Sequence, residues 1–200
     1  MFRCNFARCA RRFAAPGLAA LLLAGCVSQA PVTVPVATAP DVYRGLARPG
    51  AKLDLAAAQE LISSYRAQNG LPAVSIDPRL TAIAEAQAQA MASADQLSHA
   101  LPGRGDFTAR LRAGGLHTAV AAENVGAGHH SLAEAFGSWR GSRGHNANML
   151  LKGATRMGIA IAHAPRSKYK VYWALVLAAP DAPEARTATG PFRWGGPVRF

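Results

Sequence analysis

Residues 122–150, AENVGAGHHSLAEAFGSWRGSRGHNANML, hold two acidic side chains and three histidines in one short stretch. Carboxylates and imidazoles are the groups that transfer protons and ligate metals near neutral pH. Glu123 stands in an apolar segment between Val120 and Val125, where an ionised carboxylate is costly unless it is paired or ligated. The stretch therefore predicts one of two things. It is either a metal or catalytic site, or a capped helix with polar loops in which Glu123 accepts backbone amide hydrogen bonds.

Part of this stretch has a structural explanation. Ser131 and Glu134 have the spacing of a capping box, in which the acid reaches back to the amide of the capping residue. His129 and His130 are adjacent, so their side chains diverge and a shared metal is not expected. Both histidines are interpreted as solvated loop residues, and Glu134 as part of the helix cap.

The other candidates lie at and beyond the ends of the stretch. His99 lies in QLSHALP, directly after a long predicted helix, where a single histidine is ordinarily a loop residue. His145 follows Gly144 where the chain is predicted to turn into a short helical segment, and Ser142 could face the same cleft. The sequence contains no HExxH, no GxSxG and no glycine-rich phosphate loop, which excludes the enzyme classes that those motifs define.

Four helices and a β-hairpin are predicted to position these side chains. The helices are 55–69 after the cap Asp54, 78–96 after the cap Asp77 with Pro78 in the first turn, 106–113, and one that starts at Ser131. MGIAIA (157–162) and VYWALVLAA (171–179) predict two antiparallel strands, and the second is apolar on both faces and therefore central. The apolar faces of these strands must be buried, and the preceding helices can bury them. This favours a layered α/β arrangement over a helical bundle.

The first 25 residues have the composition of an export signal. Four arginines precede a short apolar run that ends in LAGC, residues 23–26, which resembles the bacterial lipobox. This predicts a signal peptide over 1–25, a lipidated Cys26 with a flexible tether over 26–50, a folded domain over 51–179 and a Pro/Gly-rich tail over 180–200. Ordinary cleavage with Cys26 left as a spare thiol is the alternative. Val27 stands where inner-membrane retention usually requires Asp, so the periplasmic side of the outer membrane is the expected destination.

Processing changes both the thiol count and the charge. Cys4 and Cys9 leave with the signal and Cys26 is lipidated, so thiol nucleophiles and cysteine-based zinc sites are excluded from the mature domain. Loss of four arginines lowers Lys+Arg from 22 to 18 against 11 acidic residues, a net charge near +7. The basic residues are scattered without aromatic interleaving, which argues against a nucleic-acid partner. Acidic envelope polymers or anionic lipid are the expected electrostatic partners, and solubility alone is the alternative role of the charge.

The order of motifs along 55–179 resembles that of the CAP superfamily, which takes in cysteine-rich secretory, antigen 5 and pathogenesis-related 1 proteins. The motifs are NGLPAVSIDPRLTAIAEAQAQAMA, LSH, DFTARLRAGG, AENVGAG, EAFGSWRGSRGHNANML, RMGIAIA and KVYWALVLA. The resemblance implies a three-layer α-β-α sandwich with a small, mostly antiparallel sheet. It maps His99 onto the first cleft histidine, Glu123 onto the acid of the EN motif and His145 onto the histidine of the GH motif.

The sequence departs from the family pattern where many eukaryotic members carry a second cleft acid. Ser142 stands at that position, and Arg143 and Asn146 are further local departures. Two imidazoles and water could form an open zinc site, with Glu123 as a ligand, as a residue that orients a histidine, or as a base. With one acid missing, weak or optional binding of zinc or another divalent metal is expected. The alternative is a hydrogen-bonded polar network of the four cleft residues without a metal.

The resemblance transfers no single activity, because the fold supports several. The favoured function is a lipid-anchored binding module of the bacterial envelope, not an enzyme, with a lipid or peptidoglycan ligand and a membrane contact through its N-terminal lipid. One alternative is a hydrolase of envelope material that uses water activated by a metal or by Glu123. The other is a structural interaction protein with a vestigial cleft. A monomer is expected.

Overall fold

A computed structural model of the chain describes residues 41–181. The predicted signal peptide, the lipidated Cys26 and nearly all of the tail lie outside the described residues. Within residues 41–181, no helix is both long enough and apolar enough to cross a membrane.

The described chain alternates helices and strands. Its elements are a short 3-10 helix Asp41–Tyr43, α1 Leu55–Gln68, β1 Ser75–Ile76, α2 Pro78–Ala94, α3 Phe107–Ala113, β2 Ala121–Ala127, α4 Leu132–Gly141, α5 Arg143–Met149, β3 Arg156–Ala164 and β4 Lys170–Ala178. Aspartate or serine side chains cap the four predicted helices, each accepting a backbone N–H of the first turn. The caps Asp54, Asp77 and Ser131 are where the sequence pattern predicts them, whereas Asp106, predicted as the first residue of its helix, is the cap that precedes α3.

The four strands form one sheet in the order β1-β3-β4-β2. β3 and β4 form the predicted antiparallel hairpin, β2 pairs antiparallel with the other side of β4, and β1 adds a short parallel pair to β3. The prediction that β4 is central is confirmed. β1 and β2 were not predicted as strands, because β1 has two residues and β2 (AAENVGA) is built from residue types that rarely favour strands.

The two faces of the sheet differ in side-chain size. On β4, the face toward α1, α4 and α5 carries Val171, Trp173, Leu175 and Leu177, and the face toward α2 and α3 carries Tyr172, Ala174, Val176 and Ala178. Each face packs in its own hydrophobic core, so the sheet is the middle layer of an α-β-α sandwich. The fold class that the resemblance implies is confirmed.

The interior also holds a buried arginine that the sequence pattern did not predict. Arg66 of α1 is fully buried, together with Ala58 and Ile62 of the same helix. The Arg66 guanidinium donates to the carbonyl oxygens of Pro72, Met149 and Ala154 at 2.9, 2.8 and 2.7 Å. Burial lowers its pKa, and these carbonyls replace the water that the cation has lost. Arg66 therefore ties α1 to the end of α5 and the loop that follows.

Small residues allow α2 to lie directly on the sheet. A Cβ built on Gly158 of β3 would come 2.1 Å from the Leu80 carbonyl carbon and 2.2 Å from the Thr81 nitrogen, both on the backbone of α2. Because backbone atoms cannot move aside as a flexible side chain can, any side chain at 158 must displace the whole helix. Ala84 and Ala88 of α2 are fully buried in the same layer.

We predict that Gly158→Ala destabilises the domain by roughly 1–3 kcal/mol, because the added methyl group overpacks the α2–β3 contact. Urea denaturation measures the change. Gly137→Ala is the matched control, since Gly137 is exposed on α4 with nothing within 4 Å of a built Cβ. Equal stability of the Gly158→Ala protein and the wild type would contradict the close approach of α2.

Candidate functional site

Glu123 lies in β2 and is 4% exposed. Both of its carboxylate oxygens bind Arg110 of α3: Nη1 donates to Oε2 at 2.7 Å and Nη2 to Oε1 at 3.0 Å. The Arg110 side chain is itself 8% exposed, so the two charges form a buried bidentate ion pair. Burial raises the pKa of Glu123, but hydrogen bonds from His99 and Arg110 outweigh it and hold the pKa below its ordinary value. Glu123 is therefore ionised at neutral pH.

His99 completes a line of polar contacts from α3 through β2 to the surface. Its Nδ1 lies 2.9 Å from Glu123 Oε1, and its backbone oxygen accepts from Arg110 Nη2 at 2.9 Å. Because an ionised carboxylate can only accept, Nδ1 carries the proton and donates it to this bond. In the neutral tautomer with the proton on Nδ1, the lone pair is on Nε2, and 53% of the side chain is exposed to solvent.

His145 is held near this pair by α5. Asn124 of β2 donates from Nδ2 to the His145 carbonyl oxygen at 2.9 Å. Asn148 of α5 donates from Nδ2 to Asn124 Oδ1 at 2.9 Å and to the Glu123 carbonyl oxygen at 3.1 Å. Burial, and next the nearby charge of His99, lower the pKa of His145, so its half-buried ring is neutral at pH 7. His99, Glu123 and His145 form what is called here the histidine cluster.

The remaining predicted site residue does not join these contacts. Ser142 ends α4 and begins α5, and its backbone N–H donates to the Trp139 carbonyl oxygen at 3.2 Å. Its hydroxyl makes no capping hydrogen bond to α5. Ser142 is therefore placed at the joint between two helices, beside the histidine cluster in sequence but without a hydrogen bond to it.

The helix cap and the paired histidines differ in detail from the prediction. Ser131 Oγ accepts from the Glu134 amide at 3.2 Å, but the Glu134 carboxylate binds the amide of His130 at 2.6 Å, one residue before the cap. The solvated interpretation is wrong for His129, which is half-buried. A Cβ on Gly126 would lie 3.2 Å from the His129 ring, so the imidazole packs where the missing side chain of Gly126 leaves room.

Arg110, Asn124 and Asn148 are the contacts that sequence reasoning missed. The sequence did carry one signal for the arginine, because a carboxylate in an apolar strand requires a cation. Arg110 lies in FTARLRA, between Phe107 and the buried Leu111, and so on the inward face of a short helix.

The donor set decides how a metal could bind here. Both Glu123 oxygens and His99 Nδ1 are already bonded, which leaves His99 Nε2 and the His145 ring. Among residues 41–181, no group of three or more His, Cys, Asp or Glu side chains is placed to hold a metal ion. These residues fit at most an open site with two imidazole ligands. In it, Glu123 would orient His99 and would not itself bind the metal.

These features define a three-layer α-β-α domain with a histidine–glutamate cluster on the edge strand of its sheet. The chain belongs to the cysteine-rich secretory protein (CAP) family, whose sequence profile matches residues 59–177, more than half of the chain. The matched range lies inside the predicted domain 51–179.

Individual relatives support the same fold. An uncharacterised protein of Bacillus subtilis, YkwD, is 29% identical over 100 residues, which is 50% of this chain and 39% of the relative. An extracellular SCP-domain protein of Bacillus anthracis has a TM-score of 0.54 at 24% identity, over 61% of this chain and 39% of that one. An outer surface protein of Borrelia burgdorferi has a TM-score of 0.55 at 16% identity, over 66% of this chain and 99% of that one. The chain thus spans well under half the length of the first two proteins.

We predict that Arg110→Met destabilises the domain by roughly 3–5 kcal/mol, because it leaves the Glu123 carboxylate buried without its cation. The double variant Arg110→Met/Glu123→Leu should recover most of that loss, since no buried charge remains. Urea denaturation of the two single variants and the double variant gives the coupling energy.

Arg112→Met is the matched control for this cycle, because Arg112 is exposed on the same helix. Its effect should stay within about 0.5 kcal/mol. A double variant that is as unstable as the sum of the single variants would show that the pair is not coupled.

Proposed function

We propose that this protein is an exported, lipid-anchored binding module of the bacterial envelope, and that its ligand contacts the His99 and His145 rings. The observation that carries this proposal is the full engagement of Glu123 by Arg110 and His99. An internally neutralised carboxylate is a poor base and a poor ligand. Among the described residues, no side-chain hydroxyl hydrogen-bonds either ring of the cluster, so an activated serine or threonine nucleophile has no support. The groups that remain available to a ligand are the imidazoles of His99 and His145.

The cellular location rests on a separate set of observations. The lipobox-like LAGC ends an apolar run behind four arginines, and two proteins of the same fold are described as extracellular and as an outer surface protein. Cys26 is the proposed acylation site, and the periplasmic side of the outer membrane the proposed destination.

Acylation predicts that the protein incorporates a palmitate label and partitions with membranes, and that Cys26→Ala abolishes both. Cys9→Ala, within the predicted signal peptide, is the matched control and should leave labelling unchanged. Fractionation and labelled-palmitate incorporation in the producing cell are the measurements. Membrane retention of an unlabelled Cys26→Ala protein would argue against the lipid anchor.

The binding function is tested with two probes, isolated peptidoglycan sacculi and vesicles of phosphatidylglycerol. Loss of one imidazole hydrogen bond should weaken binding of the effective probe by about three- to tenfold, so His99→Ala and His145→Ala should each reduce sedimentation with it. His130→Ala is the matched control, because His130 is exposed and lies outside the cluster. Binding that is equal in all three variants would remove the histidine cluster as the ligand site.

One observation supports a hydrolase as the second candidate. Glu123 binds His99 Nδ1 and leaves Nε2 free to accept a proton, which is the arrangement of a carboxylate-oriented general base. Release of soluble fragments from the same sacculi by the wild type, and its loss in His99→Ala, would favour this candidate over binding alone.

Zinc binding is proposed to be weak and optional, through His99 and His145. A ligand that binds only the folded state stabilises it and so raises the unfolding temperature. The effect grows with the logarithm of one plus the ratio of the free ligand concentration to its Kd. Added Zn²⁺ should therefore raise the unfolding temperature slightly in the wild type and not in His145→Ala, and a chelator should leave the wild type unchanged. A large drop in unfolding temperature with the chelator would instead indicate a tightly held structural metal.

A further inference from the structure

The loop that carries His99 is held by buried side chains from two helices. Residues 96–101, called here the His99 loop, follow α2 and leave the His99 side chain exposed. Gln87 of α2 donates from Nε2 to the Ser98 carbonyl oxygen at 2.6 Å, and Arg110 of α3 donates from Nη2 to the His99 carbonyl oxygen at 2.9 Å. Two consecutive carbonyl groups of the loop are therefore bound to the body of the domain.

Ser98 also closes a turn around the histidine. Its Oγ accepts from the Ala100 amide at 3.1 Å and donates to the Ala100 carbonyl oxygen at 2.8 Å. Leu101, at the end of the loop, is 7% exposed and packs in the core on the α2 side of the sheet. Because this turn has a fixed shape, a bond that holds the Ser98 carbonyl also determines where the His99 backbone lies.

Gln87 is an unexpected side chain for its position in the helix. It is fully buried, and its Oε1 accepts no hydrogen bond from any described residue. An unpaired buried oxygen lowers stability, and an apolar side chain of similar length would not have one. Packing alone therefore does not favour glutamine here, and the group that glutamine adds is the Nε2 donor to Ser98. The other buried residues of α2 are apolar: Leu80, Ile83, Ala84, Ala88 and Met91.

The His99 ring depends on a fixed backbone because a single hydrogen bond orients it. Its Nδ1 lies 2.9 Å from Glu123 Oε1, and 53% of the side chain is exposed, so water competes for Nδ1. Glu123 is itself held by Arg110 through both carboxylate oxygens and cannot follow a ring that moves. Hydrogen bonds between nitrogen and oxygen weaken beyond about 3.2 Å. A small shift of the His99 loop would therefore release the ring from Glu123.

We propose that Gln87 is a positioning residue of the histidine cluster, which holds the Ser98 carbonyl and thereby keeps His99 Nδ1 on Glu123. Gln87 acts through the His99 loop and does not itself contact a ligand. Its unpaired Oε1 is tolerated because the Nε2 donor fixes the tautomer that leaves His99 Nε2 free. The role in ligand binding rests on the function proposed above, whereas the orientation of the ring can be measured without a ligand.

The test compares the His99 tautomer in the wild type and in Gln87→Met, which has a side chain of similar size without a donor. Long-range ¹H–¹⁵N correlation spectra of the full chain, at a pH at which the ring is neutral, distinguish the Nδ1–H from the Nε2–H form. The wild type should show mainly Nδ1–H. Loss of one hydrogen bond from the loop should lower the ratio of Nδ1–H to Nε2–H by about three- to tenfold. The midpoint of urea unfolding should not fall, because the unpaired Oε1 is removed with the donor.

Gln89→Met is the matched control, because Gln89 is exposed on the same helix and its Nε2 bonds the Ser93 hydroxyl. It should leave the tautomer ratio and the urea midpoint unchanged. Gln87→Leu removes the same amide within a shorter side chain and repeats the measurement if Gln87→Met folds poorly. In the wild type, the side-chain amide protons of Gln87 should exchange with solvent much more slowly than those of Gln89, because Gln87 is buried and bonded to Ser98.

An unchanged tautomer ratio in the Gln87 variants would overturn the proposal and make Gln87 a purely structural residue. Equal change in Gln89→Met, or equally fast exchange of the two wild-type amides, would overturn it as well. Sedimentation with sacculi or phosphatidylglycerol vesicles separates this inference from the proposed function. Gln87→Met should weaken binding of the effective probe by no more than His99→Ala does. A lowered tautomer ratio with unchanged binding would support the positioning role of Gln87 and contradict His99 as a ligand contact.

Discussion

The site depends on one constraint, the charge of Glu123 in the edge strand of a closed sandwich. A carboxylate in that position cannot reach bulk water, so a cation has to be brought to it. Arg110 supplies the cation from α3, and the same guanidinium holds the backbone oxygen of His99. The loop that carries His99 is thereby fixed relative to β2. The pairing that makes the buried charge tolerable is also what places an imidazole at the surface beside it.

The position of Arg110 depends in turn on how α2 and α3 pack on the centre of the sheet. Gly158 lets α2 rest on β3, and Gly114 lets the end of α3 rest on α2, since a Cβ at 114 would come 2.7 Å from Ile83 Cδ1. At Gly158 the missing side chain sets a distance between two backbones, whereas at Gly114 it makes room for the end of the Ile83 side chain. The close approach of α2 to β3 therefore positions the layer from which Arg110 reaches Glu123. Ala174 and Ala178 of β4 belong to the same arrangement, because larger side chains at these positions would lift α2 from the sheet.

The sequence predicted what is local and missed what depends on pairing across the fold. The helices were predictable because their caps and apolar spacing lie within a few residues, as at Asp54 and Ser131. β2 was not, because its Ala and Gly residues form a strand only through pairing with β4. The types of the cluster residues were recognisable from their motifs. The bonds between them were not, since Arg110 and Asn148 reach Glu123 and Asn124 from 13 and 24 residues away in the chain.

Neutralisation of Glu123 by Arg110 also determines the net charge of the histidine cluster, which lacks the second acid of the family pattern. At the position where the family pattern has a second acid, this chain has Ser142, which adds no negative charge. Here Arg110 cancels the one acid that is present, so the cluster as a whole has no negative charge to offer. His145 is held neutral by burial and by its neighbour. As the pH falls, protonation of the imidazoles can only make the cluster positive. Its ligands are therefore expected among neutral polar and anionic groups, and a cation can bind only through the two imidazole lone pairs at neutral or higher pH.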